Sequence, residues 1–260
     1  MQNVFRRCEK KFLVTMEQAA VLQRLITRYA EIDRQTEYLI QDLYYDTADW
    51  DIIRKAVEKP LFKEKLRLRV YGRYHSGSPA FLEIKRKCEG VVYKRRIAFP
   101  LGELKNRGVR EIVSAHDSQI AREIGYFLHT NQVSEKIHIA YKRIAYTGIE
   151  DKDLRITFDK DIAFHLCALN SINCGEYRSS GYNDRQFDGR HINSRQIEGC
   201  QIIDDNQMLM EIKTTGAIPL WLTRALSENN IFPISFSKIG VCYVWHISKW
   251  QDLKEVKNAA

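Results

Sequence analysis

Arg67 and Arg69 stand two residues apart among Leu66, Leu68 and Val70. In a strand, successive side chains leave on opposite faces, so this spacing puts two guanidinium groups on one side and three aliphatic groups on the other. The same arrangement recurs in Arg7-x-Glu9-x-Lys11, Glu83-x-Lys85, Lys94-x-Arg96, around Arg143, in Arg155-x-Thr157-x-Asp159-x-Asp161, and in Glu211-x-Lys213. Guanidinium forks match phosphate oxygens in pairs. Glu and Asp are hard oxygen ligands suited to Mg²⁺ or Mn²⁺. These residue types in this pattern suit the holding of a polyanion together with a divalent cation. Glu9, Asp159 and Asp161 have two readings at this point, as metal ligands or as charge partners for nearby cations.

The elements that must carry these faces follow from periodicity. Residues 6–14 read as a first strand. Thr15 reads as a helix N-cap with Gln18 at the capping-box position, and Leu22, Leu25, Ile26 and Tyr29 have helical spacing behind it. A strand is expected over 37–45, a short helix over 48–57, and strands over 65–74, 80–87 and 91–99. A helical region spans 101–131, with Ile120, Ile124, Phe127 and Leu128 as its apolar stripe. Strands return at 136–148 and 153–162, where Leu154, Ile156, Phe158 and Ile162 form the aliphatic face. A hairpin is expected from 201–203 and 207–214, then helices over 219–226 and 236–250. Residues 165–199 lack a clear period and read as an irregular insertion in a single domain spanning 1–260. About eight strands with one aliphatic and one ionic face fit two shapes. A flat sheet backed by helices would leave the ionic faces in solvent, whereas a sheet curled into a barrel would line a tunnel with them.

Composition narrows the function classes. The 260-residue chain carries a net charge of +8 and 44% hydrophobic residues, which favours anionic partners for a globular protein. No apolar run reaches the ~18 residues of a membrane span, and the first eleven residues lack the apolar core of a signal peptide. The six cysteines form no C-x-x-C pair and read as reduced thiols, which points to the cytoplasm. The seven histidines are scattered and are assigned no metal role. No glycine-rich loop leading to Lys-Ser or Lys-Thr is present, so a P-loop kinase is not supported. Nucleic-acid binding ranks last, because the basic residues alternate within strands facing acids and are not interleaved with aromatics.

Arg7-x-Glu9-x-Lys11-Phe12, Tyr45-Asp46-Thr47, Leu66-Arg67-Leu68-Arg69-Val70-Tyr71-Gly72, Leu82-Glu83-Ile84-Lys85, Arg155-Ile156-Thr157-Phe158-Asp159, Met210-Glu211-Ile212-Lys213 and Phe236-Ser237-Lys238 together resemble the VTC-type polyphosphate polymerase domain. That domain is one of the triphosphate tunnel metalloenzymes, alongside the CYTH phosphatases and cyclases. The resemblance implies an α+β fold, an eight-stranded antiparallel β-barrel flanked by helices. It implies that Lys11, Arg67, Arg69, Lys85, Lys94, Arg143 and Arg155 grip phosphates, and that Lys238 reaches the tunnel mouth. It implies a divalent metal, Mn²⁺ or Mg²⁺, on Glu211, with Glu9 and Asp159 as further candidates. The implied reaction moves the γ-phosphoryl group of ATP to a growing polyphosphate chain. Arg7 stands where the CYTH phosphatases favour a first glutamate, which fits the VTC branch. A tripolyphosphatase of the same fold and a non-catalytic binder of polyphosphate or inositol polyphosphate are the alternatives. The expected partners are ATP or triphosphate and polyphosphate. With no transmembrane segment of its own, the chain has room for a membrane partner.

Overall fold

Leu66, Leu68 and Val70 on one strand and Leu82 and Ile84 on the next are buried on the same side of a long hairpin. Side chains of this size contribute about 1.5–3 kcal/mol each when fully buried. Gly72 ends the first of these strands in a left-handed conformation (φ 66°) that an L side chain rarely adopts, and its N–H donates to Leu39 O at 2.7 Å.

The computed structural model describes residues 4–5, 8–33, 37–58, 60–72, 74–89, 91–167 and 200–258, with backbone only at 4–5 and 249–258. Arg7 and residues 168–199 of the expected insertion lie outside the described residues. In chain order the elements are β1 (Val4–Phe5), β2 (Cys8–Thr15), α1 (Met16–Ile26), β3 (Ala30–Ile32), β4 (Tyr38–Asp46), α2 (Asp51–Val57), β5 (Phe62–Tyr71), β6 (Pro79–Cys88) and β7 (Val91–Pro100). A 3-10 turn (Leu101–Lys105) leads to α3 (Val109–Ser114), α4 (Gln119–Asn131), β8 (Ser134–Gly148), β9 (Arg155–Leu166), β10 (Cys200–Gln201), β11 (Gln207–Thr214), α5 (Leu220–Glu228) and α6 (Lys238–Asn258). The eight long strands β2, β4–β9 and β11 are the eight that the resemblance implies, and three short strands accompany them.

All pairings are antiparallel, in the order β1-β7-β6-β5-β4-β8-β9-β11-β2. The two ends of this path, β1 and β2, are consecutive pieces of one N-terminal segment. The sheet therefore curls back to the chain it started from. No pairing joins β2 to β7 among the described residues; Ile234 lies on that edge of β2, donating its N–H to Lys11 O at 2.7 Å. Curling is also visible across the lumen, where Lys85 on β6 comes 3.9 Å from Glu9 on β2.

Two apolar layers cover the outside. Ile112, Val113, Ala121, Ile124, Phe127 and Leu128 of α3 and α4 pack on the outward side chains of β4–β7. Ala19, Leu22, Ile26, Leu222, Ala225 and Leu226 of α1 and α5 pack on those of β2, β9 and β11. The expected capping box closes α1, with Thr15 Oγ1 accepting from Gln18 N–H and Gln18 Oε1 accepting from Thr15 N–H. A third apolar cluster lies inside. Ile139, Ile162, Phe164 and Leu209 turn inward at one end of the barrel and meet Ile239 and Cys242 of α6, which fills that end against β4, β8, β9 and β11.

Two expectations are corrected. Residues 200–201 pair with β9, not with β11, so the 201–214 segment is no hairpin: β9 binds β11 through 155–159 and β10 through 163–164 along the same edge. Asp161 and Ile162 both stand opposite Tyr141 at a bulge, with Asp161 at φ 51°. The extra residue reverses the parity of β9. Ile162 and Phe164 turn into the lumen, and Asp161 leaves the ionic row to pair with Lys142 at 2.8 Å.

Candidate active site

Charge density on the inner wall is set by strand geometry. Lys65, Arg67 and Arg69 follow one another at two-residue intervals on β5 and face Lys85, Glu83 and Phe81 on β6. Lys94 and Arg96 on β7 stand beside Lys85 and Glu83. Across the lumen β2 and β11 place Lys11 opposite Glu211 and Glu9 opposite Lys213.

The carboxylates divide into two groups. Asp42, Glu83 and Asp159 are almost wholly buried and bind cations. Asp42 takes both forks of Arg69 (2.6 and 2.7 Å) and a longer bond from Arg67 at 3.4 Å. The Tyr141 hydroxyl joins them, accepting from Arg69 at 2.9 Å and donating to Asp42 at 3.2 Å. Glu83 binds Arg67 at 2.7 Å and Lys94 at 2.8 Å. Asp159 takes both forks of Arg143 (2.6 and 2.7 Å) and Lys238 Nζ at 2.6 Å. Burial would raise the pKa of each acid, but the adjacent cations outweigh it: Glu83 is brought down to about 2 by Arg67 and Lys94, and Asp42 and Asp159 are also lowered.

Glu9 and Glu211 form the second group. They lie on the same face of the paired strands β2 and β11, Glu211 3.2 Å from Lys213 and Glu9 3.4 Å from Lys11 and 3.9 Å from Lys85. Burial would raise Glu211, but Lys213, Lys11 and Lys238 hold it well below the usual carboxylate range. Beside it in register is Thr157, whose Oγ1 is buried with no hydrogen-bond partner among the described residues. Two adjacent carboxylates and an orphaned hydroxyl fit a divalent cation that takes one or two protein carboxylates and completes its shell with phosphate oxygens and water. Asp159 does not fit that role, because Arg143 and Lys238 occupy both of its oxygens.

Cations that keep donors for a ligand lie on the opposite wall. The Lys85 side chain is 47% exposed to the lumen and that of Lys94 43%. Lys65 reaches Ser237 Oγ at 3.5 Å, and Lys11 donates to Phe236 O at 2.9 Å. Burial, with repulsion from Lys63, Lys85, Lys11 and Arg67, brings Lys65 down to about 7. Burial brings Lys94 down to about 8 against the pull of Glu83. Cations outnumber carboxylates around this space, and a bound polyanion would relieve the excess.

Of the residues named from sequence, Lys11, Arg67, Arg69, Lys85, Lys94, Arg143, Asp159, Glu9 and Glu211 line one lumen. Arg155 stays at its rim, bonded to Asp33. Lys238 is the first residue of α6 and reaches the inner wall at Asp159, over the ring of Tyr141, and not the mouth. Asp46 of the Tyr45-Asp46-Thr47 motif serves the fold: its carboxylate accepts the backbone N–H groups of Thr47, Ile52 and Ile53 at the start of α2. Asp42, Lys65 and Tyr141 were missed. Lys65 extends the two-residue period of Arg67 and Arg69 by one step. Asp42 is a lone acid between Ile40 and Tyr44 on an apolar strand. Tyr141 shares parity with Arg143.

A profile of the VTC domain matches residues 6–245. The chain belongs to the VTC domain family. Among solved structures, this VTC domain is similar to HpAC1 from Hippeastrum (TM-score 0.51, 17% identity, covering 90% of this chain and 93% of that one), an adenylyl cyclase candidate described as having a dominant triphosphatase activity. It is also similar to an adenylate cyclase candidate from Vibrio parahaemolyticus (TM-score 0.45, 9% identity, covering 93% of this chain and 99% of that one). No curated protein matches the sequence. The first likeness extends to the fold: this VTC domain has the antiparallel architecture of the triphosphate tunnel proteins. Among its described residues, no helix is long and apolar enough to cross a membrane.

Proposed function

We propose that this VTC domain is a single-domain phosphotransferase that binds ATP in the lumen and moves its γ-phosphoryl group to the end of a polyphosphate chain. The observation that carries the reading is the juxtaposition, across one lumen, of the cationic wall (Lys65, Arg67, Lys85, Lys94) with the Glu9–Glu211 pair. Phosphoryl transfer proceeds through a loose transition state and asks the protein mainly for positioning and charge stabilisation.

Each part of the wall has a task. Arg67 and Arg69 are held in fixed directions by Asp42 and Glu83, so Arg67 meets phosphate oxygens without reorganising. Lys85, Lys94, Lys65 and Lys11 supply mobile ammonium groups to the remaining oxygens. Arg143 and Lys238, locked on Asp159, add fixed positive potential behind Glu211. Glu211 and Glu9 would hold a divalent metal, Mn²⁺ or Mg²⁺, which would supply neutralisation of phosphate charge. The acceptor is itself a phosphate and needs no strong general base.

Purified protein incubated with ATP and Mn²⁺ is expected to produce long polyphosphate, resolved on a gel. A second reading, a triphosphate hydrolase, is favoured by the activity described for HpAC1. Orthophosphate as the sole product would replace the first reading by the second.

The depressed lysines set a pH dependence. A bound triphosphate favours their charged forms, so binding takes up protons once the free lysines have begun to lose them. With Lys65 at about 7 and Lys94 at about 8, affinity is expected to fall on the order of 10- to 100-fold between pH 7 and pH 9. Calorimetry at several pH values in buffers of different ionisation enthalpy measures both the affinity and the proton uptake. A flat profile with no uptake would contradict it. For the empty protein the sign reverses. Unfolded lysines keep their protons to about pH 10.4, so stability is expected to rise from about pH 7 towards pH 10.

A further inference from the structure

On β5 and β6 the ionic lining gives way to aromatic rings near Arg69, while on β8 it continues to Arg143. Tyr71 follows Arg69 on β5, Phe81 stands opposite Arg69 on β6, and Tyr38 lies one strand repeat beyond Ile40, the β4 partner of Tyr71; all three rings are half-buried. Tyr38 and Tyr71 have ring centroids 6.5 Å apart, and Tyr71 meets Phe81 edge-on at 5.6 Å. The Arg96 guanidinium lies 4.7 Å from the Phe81 centroid, and that of Arg69 lies 5.7 Å from Tyr71. Tyr38 and Tyr71 also pack against the inner apolar cluster that holds Ile40 and, from α6, Ile239 and Cys242.

We propose that Tyr38, Tyr71 and Phe81, with Arg96, bind the nucleobase of a nucleoside triphosphate and so orient it, base at the aromatic end and γ-phosphate inward towards Lys65 and Ser237. The inference rests on the reading of the lumen as a triphosphate site and adds the specificity determinant that reading lacks. An inorganic polyphosphate would leave the exposed part of these rings against water, whereas a planar heteroaromatic ring would cover it and stack. The spacing agrees. Tyr71 lies four residues beyond Arg67, about 13 Å along an extended strand, which accommodates a ribose and base attached to a phosphate chain gripped by Arg67. Entry in the opposite sense would bring the base among Lys63, Lys65 and Lys87, where the inward positions of β5 and β6 offer ammonium groups and no ring. Stacking on aromatic side chains tolerates any base, because every base has a π-face. The site therefore selects nucleoside triphosphates over inorganic tripolyphosphate and is indifferent to adenine against guanine.

Phe81→Leu and Tyr38→Leu, which keep an apolar side chain at each position, separate these contributions. Calorimetric dissociation constants for ATP, GTP and inorganic tripolyphosphate are measured on each variant and on the wild type. ATP and GTP are expected to weaken together, about 10-fold, while tripolyphosphate stays within about 2-fold, which also reports that the variants are folded. If ATP and tripolyphosphate weaken in parallel in both variants, or if neither changes, the nucleobase site is overturned while the triphosphate reading stands. If the wild type binds none of the three anions, the triphosphate reading fails and takes this inference with it.

Discussion

Glu211→Gln is expected to lose metal-dependent turnover by about 100-fold or more while leaving triphosphate affinity within a few-fold. Mutating an outer-shell partner of a metal typically costs 10- to 100-fold, and Glu211 is assigned directly to the ion. The amide preserves shape and removes the charge that Lys213, Lys11 and Lys238 surround. Those lysines then carry more uncompensated charge, so metal-free anion binding should hold or tighten. Turnover against Mn²⁺ concentration, alongside calorimetry of tripolyphosphate without metal, gives both readings. A variant that loses anion affinity and turnover together would show that Glu211 shapes the wall and does not hold the metal. A variant that keeps full turnover would remove Glu211 from the mechanism. Glu9→Gln, at the neighbouring acid on β2, is expected to behave in the same direction.

Asp42→Asn is expected to destabilise the empty protein by about 3–5 kcal/mol, the usual consequence of removing one partner of a buried ion pair. Asp42 is 1% exposed and is the shared acceptor for Arg69, Arg67 and Tyr141. The amide has one acceptor oxygen in place of two and no charge, so the Arg69 fork loses half its partner and the β4–β5 wall keeps two guanidinium groups in conflict. For a chain of this length the change corresponds to a drop in melting temperature of about 10 °C. Tripolyphosphate at 100 times its dissociation constant should return about 2.7 kcal/mol through binding to the native state. Thermal melts of both proteins with and without the anion test this. A variant melting within about 1 °C of the wild type would show that Asp42 is not what holds the two arginines.

Local geometry explains what was legible in the residues. β5 and β6 were readable because period-two alternation follows from the backbone, whatever the strand pairs with. The capping box at Thr15 and Gln18 was readable for the same reason, since both hydrogen bonds join residues three apart. The failures sit where a local pattern does not determine its surroundings. Residues 200–201 have strand character, but two strand edges were available and β9 took them. At Asp161 one inserted residue reverses the parity, so alternation read across it puts Ile162 on the wrong face. The Tyr45-Asp46-Thr47 motif was correctly tied to a family, yet its acid caps α2 and takes no part in the lumen.

By itself the sequence determined the family, the strands and the ionic character of their inner faces, because composition and alternation are properties of short segments. Only the tertiary structure decided which cations each carboxylate meets. Asp159 reads like Glu211 in sequence, each an acid in an alternating strand. Folding brings Lys238 to Asp159 from 79 residues away and leaves Glu211 beside Glu9. Coulomb energy depends on distances of a few ångströms between groups on different strands, and those distances exist only once the sheet has curled and α6 has entered it.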